Sequence, residues 1–377
     1  MRFVQNAIIS FSPNPAKSLC LLFFRRYGNK YLIMVEKKCD FKVKTINSDF
    51  LVTEVPLLPT FDPLAKEYTY VWLKKSNYTT FEAIEKIKDH FGLNFFDIAA
   101  EGLKDEDGIT EQIISIKKKL SKKAVKDFNT THTDNDTFIV IDRVMGFGSE
   151  PVAAKSLFGN TFQIVVRNLT DNEANRIVDF TKKHKFFPFV NYYDNQRFGL
   201  PGGPYITHFI GKAICESEWD EAFELLKKTG NKIPEGKTGK DAFEALNPGQ
   251  VGFFVSAFNS YLWNKAVSKH IKQNFKSKKY DFPNLDELYL PIITESTPSN
   301  SFMIDGYRFN KETFITEEAK IYRDMILPTV VFAKDIKDDE IFIGKKRILL
   351  TFFIFTGCYA TMVAKQIIKT ALEEKND

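Results

Sequence analysis

The chain has 377 residues, of which 44% are hydrophobic and 27% are charged, and 53 Lys and Arg against 48 Asp and Glu give a formal net charge of +5. This composition excludes disorder as the dominant state, because enough apolar surface is available to offset the chain entropy lost on folding. The length predicts two or three lobes at roughly 150 residues per domain. The four cysteines and five histidines lack ligand spacing, so we expect no metal site and no disulfide framework, in a reducing compartment.

Strand and helix patterns alternate irregularly in the first half of the chain. Strands are predicted where β-branched or aromatic runs are bounded by polar segments, at Tyr31–Val35, Tyr68–Leu73, Phe138–Val144 and Phe162–Val166. An amphipathic helix is predicted over Thr79–His90, with Phe81, Ile84 and Ile87 on one face and a capping box that starts at Thr79. This irregular order favours an α+β fold over a doubly wound parallel sheet.

The composition changes after a Gly/Pro cluster at Gly199–Pro204. Beyond this cluster, Ser217–Lys228 and Ser256–Phe275 are predicted as helices. The polar, glycine-containing segment Gly230–Lys240 between them is predicted as an exposed loop. Because strand and helix patterns return near the C-terminus, the order is compatible with a lobe inserted between two halves of another domain.

Two apolar stretches raise the question of a membrane segment. The stretch 348–364 is short of the roughly 20 residues of a membrane span, and Gly357 divides it. We therefore predict a buried strand at Ile348–Phe355, a turn at Gly357 and a docked terminal helix. The N-terminal run Leu19–Phe24 is not followed by a small-residue cleavage site, so no secretory signal is expected.

The densest polar cluster is EGLKDEDG at 101–108. A calcium loop is excluded because Leu103 would occupy the first ligand position, and the GxxxxGK[ST] signature of a phosphate loop is absent. The remaining chemistry is that of Asp105, a carboxylate between two glycines and beside Lys104, which could serve as a nucleophile or base. A solvated turn is the alternative, and the spacing leaves both interpretations open.

A second cluster, NYYDNQRFG at 191–199, combines side chains that suit RNA. Aromatic faces stack on bases, amides read base edges and Arg197 could bind phosphate. A polar loop with core-facing aromatic rings explains the same pattern equally well. Six lysines between 117 and 126 are typical of a solvated helix face, although they could also steer a polyanion towards the chain.

Seven segments, in the order of the chain, resemble motifs of the D-type (TruD) tRNA pseudouridine synthases. They are DFLVTE at 49–54 with Lys44 upstream, NYTT at 77–80, GLKD at 102–105 with ITEQ at 109–112, GNTF at 159–162, NYY at 191–193 with QRFG at 196–199, SAF with LWN at 256–264, and GCYAT at 357–361. Each segment is weak evidence alone, whereas seven in sequence over nearly the whole chain are specific.

The resemblance implies a fold and an activity. The fold is α+β, a catalytic domain with a mixed or antiparallel sheet and flanking helices, interrupted by an inserted α+β domain. The resemblance divides the chain into a first catalytic part at 1–216, the inserted TRUD domain at 217–333 and a C-terminal catalytic part at 334–377. The implied enzyme is a cytoplasmic monomer that isomerises uridine to pseudouridine in tRNA, at position 13, without metal, cofactor or membrane.

The resemblance also implies the roles of nine residues. Asp105 is the catalytic carboxylate, and whether it attacks C1′ of the ribose or removes a proton from C2′ stays open. The other eight are assigned to binding the uridine or supporting its pocket: Phe50, Asn191, Tyr193, Tyr359, Lys44, Glu54, Lys104 and Arg197. Lys104, if it lies near Asp105, would favour the charged carboxylate.

Two features differ from the family pattern and leave alternatives open. Glu106 and Asp107 follow Asp105, where the family has a basic residue and alanine, and tyrosines stand at 193 and 359, where it more often has phenylalanine. The acidic pair would repel RNA phosphates. The alternatives are therefore an RNA-binding protein or tRNA-folding factor with weak or no catalysis, or a synthase that acts on a different RNA.

Overall fold

The computed structural model describes residues 21–27, 30–36, 40–57, 62, 64–65, 67–152, 157–199, 203–230, 233, 235–282, 285–292 and 300–374. The predicted apolar run Leu19–Phe24 begins outside these residues, and part of the predicted loop Gly230–Lys240 also lies outside them.

The described residues form strands and helices with the following bounds. The strands are β1 Leu21–Tyr27, β2 Lys30–Glu36, β3 Phe50–Pro56, β4 Tyr68–Ser76, β5 Ile98–Ala100, β6 Ile109–Ile116, β7 Thr133–Asp134, β8 Thr137–Gly148, β9 Leu157–Leu169, β10 Phe186–Val190, β11 Ser277–Tyr280, β12 Leu288–Pro291, β13 Ser301–Asn310, β14 Ile315–Asp324, β15 Ile326–Asp338 and β16 Lys346–Phe355. The α-helices are α1 Thr80–Phe91, α2 Lys122–Thr131, α3 Asp171–Lys183, α4 Thr207–Cys215, α5 Trp219–Lys227, α6 Gly239–Glu244, α7 Pro248–Asn274 and α8 Ala360–Glu373.

A mixed sheet of ten strands organises the molecule. Its order is β10-β15-β16-β9-β3-β6-β4-β8-β7, and β5 adds to β6. Only β3 and β6 pair in parallel among these strands, with Leu51 opposite Ile109. Because parallel neighbours start at the same edge of a sheet, the segments that lead into β3 and into β6 meet there. This edge carries the candidate site.

Helices cover the sheet in two groups, and each group buries its own core. Helices α3 and α8 pack on the half made by β9, β15 and β16, with Ile177, Phe352 and Ile367 in the core. Helices α1 and α2 cover the half made by β4, β6 and β8, with Ile87 and Phe128 buried there. The apolar face of each helix therefore packs on an apolar surface of the sheet. This packing accounts for the mixed α+β fold.

The remaining elements, α4–α7 and β11–β14, form a second lobe. The long helix α7 packs against α4 and against the β13–β14 hairpin. Its Trp263 and Val267 share a core with Tyr192, which follows strand β10 of the large sheet, and with Met362 of α8. The two lobes are therefore joined by continuous apolar packing, and β14 leads directly into strand β15 of the large sheet.

Most of the predicted elements are confirmed. Each of the predicted strands lies within an observed strand, and the predicted C-terminal strand, turn and helix correspond to β16, Gly357 and α8. The long predicted helix starts earlier than expected, at Pro248, because Asn247 caps it and proline suits a first helical turn. Among the described residues, no helix combines the length and the apolar character that a membrane crossing needs.

The predicted face of α1 is wrong at its first position. Phe81 is 52% exposed, whereas Thr80 is buried with Ile84 and Ile87. Thr80 faces inward because its hydroxyl donates to Gln112 and accepts the backbone N–H of Lys104. The helix is thus rotated so that a threonine, rather than a phenylalanine, meets the loop of the candidate site.

A buried ion-pair cluster joins three segments at one end of the sheet. The guanidinium group of Arg167 on β9 binds Asp49 at 2.7–3.0 Å and Asp339 at 2.9 Å, and all three side chains are almost fully buried. Its Nη2 also contacts the exposed Glu340 at 3.0 Å. These partners raise the pKa of Arg167 above its ordinary value, with the hydrogen bond to Asp49 the largest cause. Arg167 therefore ties the segment before β3 to the β15–β16 connection.

Candidate active site

A cavity of about 280 Å³ opens at the sheet edge where β3 and β6 begin. Its wall includes the aromatic rings of Phe50, Phe162 and Tyr359, the amides of Asn160 and Gln196, and the carboxylate of Asp105. Asp105 is the only acidic residue among the described residues that line this cavity. The side chain of Asp105 is 46% exposed, so it is accessible to a bound molecule.

Lys44 holds the Asp105 carboxylate. Its Nζ donates to Asp105 Oδ2 at 2.7 Å and lies 3.8 Å from the centroid of the Phe50 ring. The backbone of Lys44 is left-handed, with φ of 56°, a conformation that costs free energy in a residue other than glycine. The Asp49 carboxylate stabilises this turn by accepting the backbone N–H groups of Thr45 and Ile46 at 3.2 Å.

A buried lysine on β4 fixes the backbone of the Asp105 loop. Lys75 is 1% exposed, and its ammonium group donates to the carbonyls of Tyr78 and Asp105 at 2.8 Å and of Lys104 at 3.3 Å. Burial lowers the pKa of Lys75 to about 8, and the Asp105 charge opposes this shift. The side chain is therefore a bridge between β4 and the loop rather than a group that faces the cavity.

Lys104 and Glu54 form a second, separate ion pair. Lys104 Nζ contacts Glu54 Oε1 at 2.9 Å, and the two side chains are 7% and 0% exposed. The other carboxylate oxygen, Glu54 Oε2, accepts the backbone N–H of Ile113 at 2.8 Å. The Lys104 ammonium group thus pairs with Glu54, and the ion pair with the Asp105 carboxylate is made by Lys44 instead. Lys104 instead anchors the loop to β3.

The two tyrosines of the predicted uridine pocket lie edge to face. The ring centroids of Tyr193 and Tyr359 are 5.5 Å apart at 64°, and only Tyr359 lines the cavity directly. Burial raises the pKa of Tyr359, and nearby Arg197 and Arg323 oppose that effect. Tyr193 is fixed through its backbone, which exchanges two hydrogen bonds of 2.9 Å with the side-chain amide of Asn264 on α7.

Arg323 of the second lobe joins several parts of the site. Its Nη2 donates to the Gly357 carbonyl at 2.9 Å and to Asn191 Oδ1 at 3.1 Å, and its guanidinium group lies 4.3 Å from the centroid of Tyr193. The second lobe thus supports the turn that carries Tyr359.

Asn191 and Arg197 lie beside the cavity without lining it. Both ends of the Asn191 carboxamide bind within the protein, because Nδ2 donates to the Asp324 carbonyl at 3.0 Å while Oδ1 accepts from Arg323. Arg197 donates to the hydroxyls of Ser256 and Ser260 on α7 and lies 4.9 Å from the Phe253 ring. In this structure both side chains position the segment 191–199 against the second lobe.

Two further polar groups of the cavity are the side-chain amide of Asn160 and the thiol of Cys358. In the described part of the chain, Oδ1 of Asn160 is buried without a hydrogen-bond partner, which is unusual for a polar atom and makes it an available acceptor. Burial raises the pKa of the Cys358 thiol to about 11. The thiol is therefore protonated at neutral pH and is a poor nucleophile.

Three comparisons with known proteins agree with this geometry. The sequence model of the tRNA pseudouridine synthase D (TruD) family matches residues 26–235, more than half of the chain. The chain belongs to the TruD family. A tRNA pseudouridine synthase D from Aquifex aeolicus is 26% identical over 277 residues, covering 64% of this chain and 70% of that protein. A second TruD protein, from Leptospira interrogans, is 25% identical over 410 residues, covering 87% of this chain and 96% of that protein.

A solved structure extends the TruD assignment to the fold. A Methanosarcina mazei chain assigned as tRNA pseudouridine synthase D matches with a TM-score of 0.61 and 17% identity, covering 88% of this chain and 94% of that chain. At this identity the match shows the fold alone, and it agrees with the predicted α+β class.

The TruD motifs did not identify every residue that builds this site. Lys75, Arg323 and Asn160 were not assigned a role, although Asn160 lies inside the GNTF motif. The sequence could have indicated Lys75, because it is a lysine near the end of the otherwise apolar strand YTYVWLKKS at 68–76. Arg323 lies in an ordinary polar strand, so its contact with the Gly357 turn depends on how the two lobes pack. The described residues contain no group of three or more His, Cys, Asp or Glu that could hold a metal ion.

Proposed function

We propose that this TruD-family chain isomerises uridine to pseudouridine in tRNA, at position 13, with Asp105 as the essential carboxylate. The observation that carries the proposal is the placement of Asp105. Among the described residues of the cavity it is the only carboxylate, it is bound by Lys44, and the rings of Phe50 and Tyr359 lie in the same wall. The Aquifex and Leptospira relatives, both named tRNA pseudouridine synthase D, support the same reaction.

The cavity suits a base that has left its stack. Unstacking a nucleotide costs a few kcal/mol, and stacking on aromatic side chains offsets about 1–3 kcal/mol per base. Phe50 and Tyr359 supply such rings. Asn160 Oδ1, which has no partner within the described residues, could accept the N3–H of uracil. We therefore assign Asn160 a role in reading the base.

Two routes fit a single carboxylate, and the geometry of Asp105 is compatible with both. In the first, Asp105 attacks C1′ as the N1–C1′ bond breaks, the uracil anion rotates, and C5 attacks C1′ and displaces the carboxylate. In the second, Asp105 removes a C2′ proton as uracil leaves, C5 adds to C1′, and the proton returns to C2′. Both routes end with loss of the C5 proton to solvent and protonation of N1, so that the product is an isomer of the substrate.

We also propose a revised boundary for the inserted domain. The boundary predicted at 333 lies inside β15, which is one continuous strand of the large sheet from Ile326 to Asp338. The return to the catalytic domain is better placed between β14 and β15, at about Met325. Arg323 then belongs to the inserted domain and contacts the catalytic turn at Gly357.

Tritium release tests the proposed reaction. Unmodified tRNA labelled at uridine C5 is incubated with the wild-type chain, and a second transcript carries cytidine at position 13. We expect one tritium released per wild-type tRNA and none from the second transcript. Release from both would reject position 13, whereas tight binding without release would favour an RNA-binding protein or tRNA-folding factor. Absence of both binding and release would reject tRNA as the substrate.

Replacing Gly108 with alanine is expected to destabilise the chain by about 2 kcal/mol and slow tritium release about tenfold. Gly108 has φ of 152°, and an added Cβ would lie 2.7 Å from the Phe50 carbonyl oxygen. This backbone contact cannot relax without moving the Asp105 loop. Denaturant unfolding and single-turnover release measure the two effects.

Gly92 provides the matched control for Gly108. It is also left-handed, with φ of 64°, but an added Cβ would meet nothing within 4 Å. Gly92→Ala should cost about 1 kcal/mol and leave the release rate unchanged. Equal rates in the two variants would contradict the role given to the Gly108 contact.

Replacing Arg323 with methionine is expected to slow single-turnover release about tenfold, because the Gly357 turn loses a charged hydrogen bond of roughly 1.5–3 kcal/mol. Arg308→Met, which removes an exposed arginine of neighbouring strand β13, is the control and should leave the rate unchanged. A wild-type rate in Arg323→Met would show that the inserted domain does not position the turn.

A further inference from the structure

A second cavity, of about 810 Å³, lies in the second lobe, away from Asp105. It is enclosed by α4, α7 and the segment Leu285–Tyr289. Its volume falls within the roughly 300–1,000 Å³ that is usual for ligand sites. The proposed reaction uses none of the residues in its wall, apart from Asn264, which also binds the backbone of Tyr193.

Aromatic rings form one side of this cavity. His208 and Tyr261 are stacked at 4.8 Å and 30°, and His208 lies 4.0 Å from the ring of Phe209. Phe209 is 44% exposed, which is high for a large apolar ring that lines a concave surface. Exposed aromatic rings of this kind are the surfaces on which nucleic-acid bases stack.

Three lysines of α7 line the cavity next to Tyr261, and Lys265 Nζ lies 4.9 Å from the centroid of the Tyr261 ring. Lys265, Lys269 and Lys272 are spaced four and three residues apart, so they share one face of the helix, and all three are exposed in the cavity wall. In the part of the chain that the structure describes, none of them makes an ion pair. Asp286 and Glu287 line the same cavity, and the Asp286 charge acts on Lys265, so the wall carries three ammonium groups against two carboxylates. The excess positive charge attracts an anion, and phosphate is the anion that accompanies a base.

Two further groups offer hydrogen bonds. His208 is 7% exposed, and its Nδ1 has no hydrogen-bond partner among the described residues. Burial lowers the pKa of His208 to about 4, so the ring is neutral at pH 7 and has one donor and one acceptor nitrogen. Asp286 also lines the cavity, and its carboxylate can accept a ribose hydroxyl or an exocyclic amine.

We propose that this cavity binds a nucleotide, with the base against the Phe209–His208 side and a phosphate against the α7 lysines. The nucleotide is either an unpaired residue of the RNA or a free nucleoside monophosphate. The first source rests on the proposed function, because that function supplies the RNA. Segment 191–199 separates the two cavities, because Gln196 lines the first and Phe198 the second. An RNA that placed its target uridine beside Asp105 could therefore place a second extruded nucleotide here.

Four variants of the full chain test the proposal. Phe209→Ala removes the exposed ring, and Lys265→Gln with Lys269→Gln and Lys272→Gln removes the three charges. Phe186→Ala and Lys228→Gln are the controls, because these residues are exposed and line neither cavity. All substituted side chains are exposed, which favours folding of the variants, and circular dichroism verifies it.

Three readouts are compared across these variants. Calorimetry measures the binding of AMP, filter binding measures the dissociation constant for tRNA at two salt concentrations, and single-turnover tritium release uses saturating enzyme. We expect AMP and tRNA to bind at least tenfold more weakly to both cavity variants, a shallower salt dependence for the lysine variant, and an unchanged release rate at saturation.

The outcomes distinguish a nucleotide of the RNA from a free nucleotide, and both from a surface that only attracts phosphate. Loss of AMP binding with an unchanged tRNA affinity would identify a free nucleotide as the occupant. Binding of AMP and tRNA equal to wild type in both cavity variants would overturn the proposal. The proposal would also be overturned if wild type bound no AMP and only the lysine variant bound tRNA more weakly. That result would indicate a surface that attracts phosphates without a nucleotide site. Both binding readouts remain interpretable if the wild-type chain releases no tritium, so failure of the proposed reaction is distinguishable.

Discussion

Asp105→Asn is expected to slow tritium release by about 10³-fold or more, because an amide can neither form the C1′ ester nor accept the C2′ proton. The dissociation constant for tRNA should stay within about twofold, since the amide fills the same space and the exposed side chain contributes little to RNA affinity. The Lys44 ammonium group loses its charged partner, but Lys75 still holds the loop through backbone carbonyls. Single-turnover release and filter binding measure the two quantities.

Asp107 supplies the matched control for this experiment. It lies two residues away on the same exposed loop, but it is not part of the cavity wall. Asp107→Asn should leave the release rate within about twofold and slightly tighten RNA binding, because one repulsive charge near the phosphates is removed. A comparable loss of rate in both variants would assign the effect to the loop charge rather than to the Asp105 carboxylate.

Arg167→Met is expected to lower the free energy of unfolding by about 3–5 kcal/mol, because it leaves two buried carboxylates without their charged partner. The side chains of Asp49 and Asp339 are 1% and 0% exposed, so water cannot replace the guanidinium group. Denaturant unfolding measures the loss. Arg347→Met is the control and should cost less than about 1 kcal/mol, since its one ion pair within the described residues is with the exposed Glu340.

The same cluster predicts how stability responds to acid. Arg167 lowers the pKa of Glu340 from 4.5 to about 2. The pKa of Asp339 is also lowered, since burial raises it but the backbone N–H groups of Asn168, Ile341 and Phe342, together with Arg167, outweigh burial. A carboxylate whose folded pKa is lowered contributes stability above its unfolded pKa and loses it as the pH falls through the folded value. Wild-type stability should therefore fall between about pH 4.5 and 2, and Arg167→Met should show a weaker dependence over that range.

Arg167 also connects stability to the candidate site. Its partner Asp49 accepts the two backbone N–H groups that hold the turn carrying Lys44. Arg167→Met should therefore slow tritium release even at temperatures where the variant remains folded, whereas Arg347→Met should not. A wild-type release rate in folded Arg167→Met would show that the Lys44 turn does not depend on the buried cluster.

Local patterns in the sequence determined much of the fold. The capping box at Thr79, the strand alternation of β16 and the apolar periodicity of α8 depend on neighbours within a few residues, and the structure confirms each of them. Seven motifs in order were sufficient to indicate the TruD family, because a family signature is a property of the sequence itself. They also singled out Asp105, which lies between glycines that permit a tight loop.

Tertiary structure alone decided the partners of the charged residues. Sequence adjacency suggested that Lys104 would favour the charged form of Asp105 if the two side chains met, but adjacent side chains of a loop can point in different directions. Lys104 consequently turns inward to Glu54, and Asp105 turns outward to meet Lys44, 61 residues earlier in the chain. Likewise, the parallel pairing of β3 with β6 brings Phe50 beside the Asp105 loop, and the packing of the two lobes brings Arg323 to Gly357. Such contacts join residues that are far apart in the chain and form only when the elements pack together. A local pattern of residues therefore cannot predict them.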